Sequence, residues 1–108
     1  MEEILKKADE LGILIKDTDA YLEFERLNNE VENNSPALLL LKKYNELAET
    51  IQQKQERGFP IEKFEQERFK EISISVKSNA LLLKYIKARD RYLELLMGIH
   101  NALSSEYL

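Results

Sequence analysis

The residues most able to do chemistry in this chain are few. There is one imidazole, His100, and no cysteine. Disulfides, thiolate metal sites, cysteine-ligated iron–sulfur clusters and cysteine nucleophiles are excluded. One histidine also argues against multi-histidine metal sites and histidine-based catalysis. Helical bundles often host a di-iron centre, which takes inward glutamates and two Glu-x-x-His pairs. The residue three before His100 is Met97, so that centre is missing. His100 lies beside an apolar stripe near a helix end, as a partly buried packing residue or a cation favourable to the helix dipole would.

Acid pairs such as Asp9/Glu10 and Glu62/Glu65 have the residue types for acid–base work. Twenty acids spread over amphipathic helices produce such pairs by chance, and nothing in the pattern puts one in an apolar pocket. The reading is therefore a solvated face. No Gly-rich phosphate loop, nucleophile elbow or zinc-ligand spacing is present. The residues give no catalytic, metal-binding or cofactor-binding position and no small-molecule substrate. The one constellation with a nucleic-acid flavour is Lys84, Lys87, Arg89 and Arg91 with Tyr85 and Tyr92 interleaved. The tyrosines fall on the core stripe, and Asp90 and Glu94 dilute the charge. A solvated face with long stems covering apolar surface is the plainer reading.

The elements that carry these residues follow from composition. In 108 residues, 44% are hydrophobic and 33% charged, as in a globular domain with one core. Three glycines and two prolines are too few for the turns of a sandwich or barrel. A single domain over 1–108, built of about five long helices in an elongated antiparallel bundle, is expected. The net charge of −4 disfavours non-specific binding to nucleic acid or anionic lipid. Residues 1–34 hold ten acids and four bases, net −6, and the remainder is net +2. Such asymmetry suits either solvated acidic helices, the simpler reading, or packing of the first third against the rest or another subunit. The opening Met1–Lys7 begins with acids and lacks a long apolar core, so it does not read as a signal peptide. The longest apolar run, Pro36–Leu41, is far too short to span a bilayer. A cytoplasmic, bacterial-type location is the default expectation.

Periodicity divides the chain. Ile4, Ala8, Leu11 and Ile15 trace one face of a helix over about 2–16, with Gly12 either a close-approach point or a tolerated surface residue. Asp17 or Thr18 can cap a second helix over about 19–32, whose stripe is Ala20, Tyr21, Phe24, Leu27 and Val31. Asn33-Asn34-Ser35-Pro36 is the clearest punctuation, with Ser35 as N-cap and Pro36 at the first helical position. The helix that follows runs to about Arg57, and its apolar-free end, Gln52–Arg57, should project into solvent or fray. Gly58 fits a left-handed stop. Phe59-Pro60 makes the next corner, with Phe59 as a plug on the bundle end in preference to a partner anchor.

Ile61 to Ser78 reads as a fourth helix with Ile61, Phe64, Phe69, Ile72 and Val76 inward. Ile72-Ser73-Ile74-Ser75-Val76 alternates like a strand, but no second run exists to pair with it. The last helix, about Asn79 to Ser104, carries two adjacent stripes. One is Leu81, Tyr85, Ala88, Tyr92, Leu95, Ile99 and Ala102. The other is Leu82, Ile86, Arg89, Leu93, Leu96, His100 and Leu103. Together they make a face broad enough for two neighbours. That width predicts self-association as a dimer or higher oligomer, with Leu82, Ile86, Leu93 and Leu96 at or near a helix–helix contact and Phe59 as a further interface candidate. Ser35-Pro36-Ala37-Leu38-Leu39-Leu40 also echoes Ser78-Asn79-Ala80-Leu81-Leu82-Leu83, which is more simply convergence on one capping chemistry than a duplication.

Taken in order, the short acidic helix, Asp17-Thr18-Asp19-Ala20-Tyr21-Leu22-Glu23-Phe24, the Asn34-Ser35-Pro36 cap, the Gly58-Phe59-Pro60 corner and Ser78-Asn79-Ala80-Leu81-Leu82-Leu83-Lys84-Tyr85 resemble the YlbF/YmcA, or control-of-competence, family of small all-helical bacterial proteins. The resemblance implies a self-associating bundle with no enzymatic activity of its own. It implies a regulatory adaptor that joins other family members and modulates an RNA-decay endonuclease, and through it competence, sporulation and biofilm formation. An iron–sulfur link known for some such complexes does not transfer through thiolates, because this chain has none. The alternative reading is a nucleic-acid-binding accessory that uses the basic face of the last helix.

Overall fold

Thr18 shows how short the corners are. Its hydroxyl donates to the Ile15 carbonyl at 2.6 Å and accepts the Tyr21 N–H at 3.2 Å. One side chain thus ends a helix and caps the next, satisfying a carbonyl and a donor that the helix ends leave open. The helices on either side are α1 (Glu2–Lys16) and α2 (Asp19–Glu32). Three more follow: α3 (Ser35–Glu56), α4 (Lys63–Ser78) and α5 (Ala80–Ser104). They are seen in a computed structural model that describes residues 1–104. No strand occurs among the described residues, and Ile72–Val76 is helical throughout.

The caps of α3 and α5 differ from the sequence reading. Asn34, not Ser35, caps α3: its Oδ1 accepts the Ala37 N–H at 3.1 Å, so Ser35 and Pro36 lie inside the first turn. Asn79 does the same for α5, accepting the Leu82 N–H at 3.0 Å. Asparagine reaches the third helical N–H with a carbonyl oxygen, and Ser35 is left exposed. The capping residues are therefore 45 positions apart rather than the 43 of the Ser35/Ser78 echo. Each cap sits three residues before a fully buried side chain, Ala37 or Leu82.

Two compact units are distinguishable, residues 1–28 with those from Tyr85 onward, and Asn29–Lys84. In the first, Ala20, Leu27, Tyr85 and Ala88 are buried. Phe24 meets Tyr85 and Tyr92, and Tyr21 meets Tyr92, so α2 and α5 run antiparallel there. No residue of α1 is buried.

In the second unit, α3 and α4 form an antiparallel hairpin. Tyr44 stacks on Phe69 at 5.4 Å, and Lys54 at the far end of α3 pairs with Glu65 at the start of α4. Val31, Ala37, Leu41, Val76 and Leu82 are the buried apolar residues. Leu82 and Val31 are 0% and 1% exposed, which stabilises by about 1.5–3 kcal/mol for each such side chain.

The α3–α4 corner is a complete glycine stop. Gly58 has φ +73°, which a side chain disfavours. Its N–H bonds the Gln55 carbonyl at 3.3 Å, and the Phe59 N–H bonds the Lys54 carbonyl at 2.8 Å. These two bonds absorb carbonyls that the helix end would otherwise leave unpaired. They also keep α3 helical through Glu56, so the polar end does not fray. It faces solvent except for Lys54.

Candidate interaction surface

The face of α5 is set by an aromatic cluster. Tyr21 and Phe24 are three apart on α2, and Tyr85 and Tyr92 are seven apart on α5, so each pair shares one helix face. Tyr92 stacks on Phe24 at 5.4 Å and 17°, and meets Tyr21 edge-on at 5.5 Å. Phe24 also tilts against Tyr85 at 5.6 Å. Such ring pairs add about 0.5–1.5 kcal/mol each beyond area burial. The cluster turns the Tyr85–Ala88–Tyr92 stripe toward α2. The adjacent stripe is left at the edge of that contact.

The predicted interface residues separate accordingly. Leu82 is fully buried within its own chain. Ile86 and Leu96 are half-buried. Leu93 is 48% exposed, with Met97 exposed beside it. Phe59 stands apart in the α3–α4 corner and is 59% exposed, so it does not plug a bundle end. Its backbone N–H closes the helix on the Lys54 carbonyl, which fixes the main chain there. His100 is exposed. Lys87 and Arg91 face solvent, but the tyrosine rings that would stack on bases are engaged with Phe24 and Tyr21.

Three features were missed by the reading of the sequence. The first is Arg89, on the same α5 stripe as Ile86 and Leu93. Its guanidinium reaches the neighbouring Asp90 at 3.4 Å, while its Nε is buried with no acceptor among the described residues. A buried donor without a partner is costly. The second is the open apolar face of α1, where Ile4 and Leu5 are 71% and 59% exposed. A helical stripe in a sequence says that a face is apolar and leaves open what covers it.

The third is Glu65. It was paired with Glu62 in the sequence as two acids on a solvated face, yet it is buried. Phe64, placed inward by hydrophobicity, is 63% exposed. The inward row of α4 is Glu65, Phe69, Ile72 and Val76, and α4 begins two residues later than Ile61. Lys54 donates to the Glu65 carboxylate, which also accepts the Glu62 N–H at 3.2 Å. The Lys54 hydrogen bond first, and then that N–H, hold the carboxyl below the usual carboxylate range against the opposing pull of burial. A glutamate three residues after the start of a helix is a known capping pattern, and that was the available signal.

Among the described residues no group of three His, Asp or Glu side chains is placed to hold a metal ion, and no helix is long and apolar enough to cross a membrane. A family model described as "Control of competence regulator ComK, YlbF/YmcA" matches residues 4–106. No curated protein matches the chain.

Proposed function

On the premise that the chain belongs to the YlbF/YmcA control-of-competence regulator family, we propose that it is a non-enzymatic regulatory adaptor that works through protein–protein contact. The family is a regulatory one. The observation that carries the adaptor reading is apolar surface on regular helices. Leu93 and Met97 on α5 are 48% and 63% exposed, and the first two turns of α1 leave Ile4 and Leu5 uncovered. Contiguous exposed apolar surface on helices marks interaction sites more often than scattered loop residues do. The interface then centres on Leu93 with the half-buried Ile86 and Leu96, and Phe59 offers a separate anchor. Leu82 supports that face from within the chain.

The adaptor reading extends to one domain over 1–108, a cytoplasmic location, a homo-oligomer, and partners drawn from other family members and an RNA-decay endonuclease. Affinity capture from native cells followed by mass spectrometry tests it. Recovery of a ribonuclease or family members, lost on Leu93→Asp, is the expected result. Capture of neither, or turnover of a small molecule by the isolated protein, would overturn it. The second reading, RNA binding by Lys84, Lys87 and Arg91, would show as affinity falling steeply with salt and lost on their change to Glu.

A further inference from the structure

We propose that α1 is a releasable strap. It undocks as one unit, pivoting at Asp17–Thr18, while the other four helices stay folded. The released helix then presents a complete apolar row that the docked state half covers. The inference stands apart from the adaptor reading and holds for an isolated copy of the chain.

Three observations carry it. First, α1 is held at one end only. Twelve of its fifteen residues are exposed, and the other three, Leu11, Gly12 and Ile15, are half-buried and lie in its second half. Each of the other helices has at least two buried residues, such as Leu27 and Val31 in α2 or Leu82 and Tyr85 in α5. Release of α1 therefore re-exposes two half-buried aliphatic side chains and no fully buried residue of its own. Elements with so little buried apolar surface lie at the low-stability end of a fold and open locally.

Second, release orphans no buried polar group. Among the described residues, every hydrogen bond of α1 runs within four residues of chain, and none of its side chains joins an ion pair. The corner bonds are equally local. Thr18 donates to the Ile15 carbonyl and accepts the Tyr21 N–H, and the Asp17 N–H bonds the Ile13 carbonyl at 3.2 Å. They close the ends of α1 and α2 whether or not α1 is docked, so the usual penalty for a lost partner is not incurred.

Third, the apolar row is longer than the contact that holds it. Ile4, Ala8, Leu11 and Ile15 follow one another at helical steps on one face. Ile4 and Ala8 are exposed, so only the latter half of the row is covered. Docking and release of α1 thus switch the row between half-covered and continuous. Once free, a helix of this length is marginal in water, so its amides exchange with solvent.

Native-state hydrogen exchange on the full chain tests the proposal. The amides of residues 6–16 should exchange as a group. Their protection should exceed that of an unfolded chain and fall roughly 100-fold below that of Leu27, Val31 and Tyr85. Low denaturant should speed the core amides and leave the α1 group nearly unchanged, because a local opening exposes little surface. Leu11→Ala should lower α1 protection roughly 3–10-fold and leave the core amides unchanged. Leu14→Ala, at a 64% exposed position of the same helix, should change it less than about twofold. The parent's own pattern decides the matter even where a variant fails to fold. Protection of α1 equal to that of the core would overturn the proposal. So would no protection at all, since a strap needs a docked state. Protection that rises with protein concentration would also overturn it, by showing that another copy holds the helix.

Discussion

Lys54, in the last turn of α3, donates its ammonium hydrogen bond to the buried carboxylate of Glu65, in the first turn of α4. The same carboxylate takes the Glu62 N–H. A cation from the polar end of one helix thus neutralises an acid that the next helix turns inward, and the glycine stop at Gly58 sets the reversal between them. The pair explains why a stretch without apolar residues stays ordered, and why an acid occupies a position that hydrophobic periodicity would give to Phe64.

This pair makes stability depend on acidity. The Glu65 carboxyl is held below the usual carboxylate range. Its contribution is fully present above the ordinary Glu pKa of about 4.3 and is lost as pH falls through the lower folded value. Melting temperature measured from neutral pH down into the acid range should fall for the parent. Glu65→Gln should begin lower at neutral pH and show a shallower acid slope. An unchanged slope would mean that the pair contributes nothing to folding.

The helix starts depend on two asparagines. Asn34→Ala and Asn79→Ala should each cost ~1 kcal/mol, because a backbone N–H loses its acceptor beside a fully buried residue. Ser35→Ala should be near neutral, since Ser35 makes no cap. Urea unfolding midpoints of the three variants separate the two cap assignments.

The glycines should respond in opposite directions. Gly58→Ala forces a side chain into φ +73° and should destabilise by about 1 kcal/mol. At Gly12 an added Cβ would meet no atom within 4 Å, and the helix would gain propensity. Gly12→Ala should therefore stabilise the monomer by ~0.5–1 kcal/mol in chemical unfolding. The open space also shows that Gly12 is no close-approach point within its own chain.

Two leucines on one α5 stripe should part company. Leu82→Ala empties a fully buried site and should cost about 2–5 kcal/mol. Leu93→Asp changes a 48% exposed residue and should leave the unfolding midpoint within about 0.5 kcal/mol while weakening association. Paired calorimetry and sedimentation would expose the reverse pattern if Leu93 belonged to the core.

Local chemistry determined the helices. The bounds of α1 and α2 agree with the 3.6-residue periodicity, and Gly58 stops α3 where a left-handed residue is needed. These depend on interactions within four or five residues, which a sequence displays directly. The family resemblance, carried by the same caps and corners, was also legible, and the family match bears it out. Tertiary structure decided what fills each face. The sequence could not show that Asn34 and not Ser35 reaches the N–H, because both types cap and only backbone geometry chooses between them. Nor could it show that Glu65 turns inward and Phe64 outward. Burying an acid is favourable only when a cation arrives from another helix, and Lys54 lies eleven residues away. For α5, periodicity gave a wide apolar face. Only the ring contacts to Tyr21 and Phe24 divided it into a stripe that packs and an edge where Leu93 stays exposed.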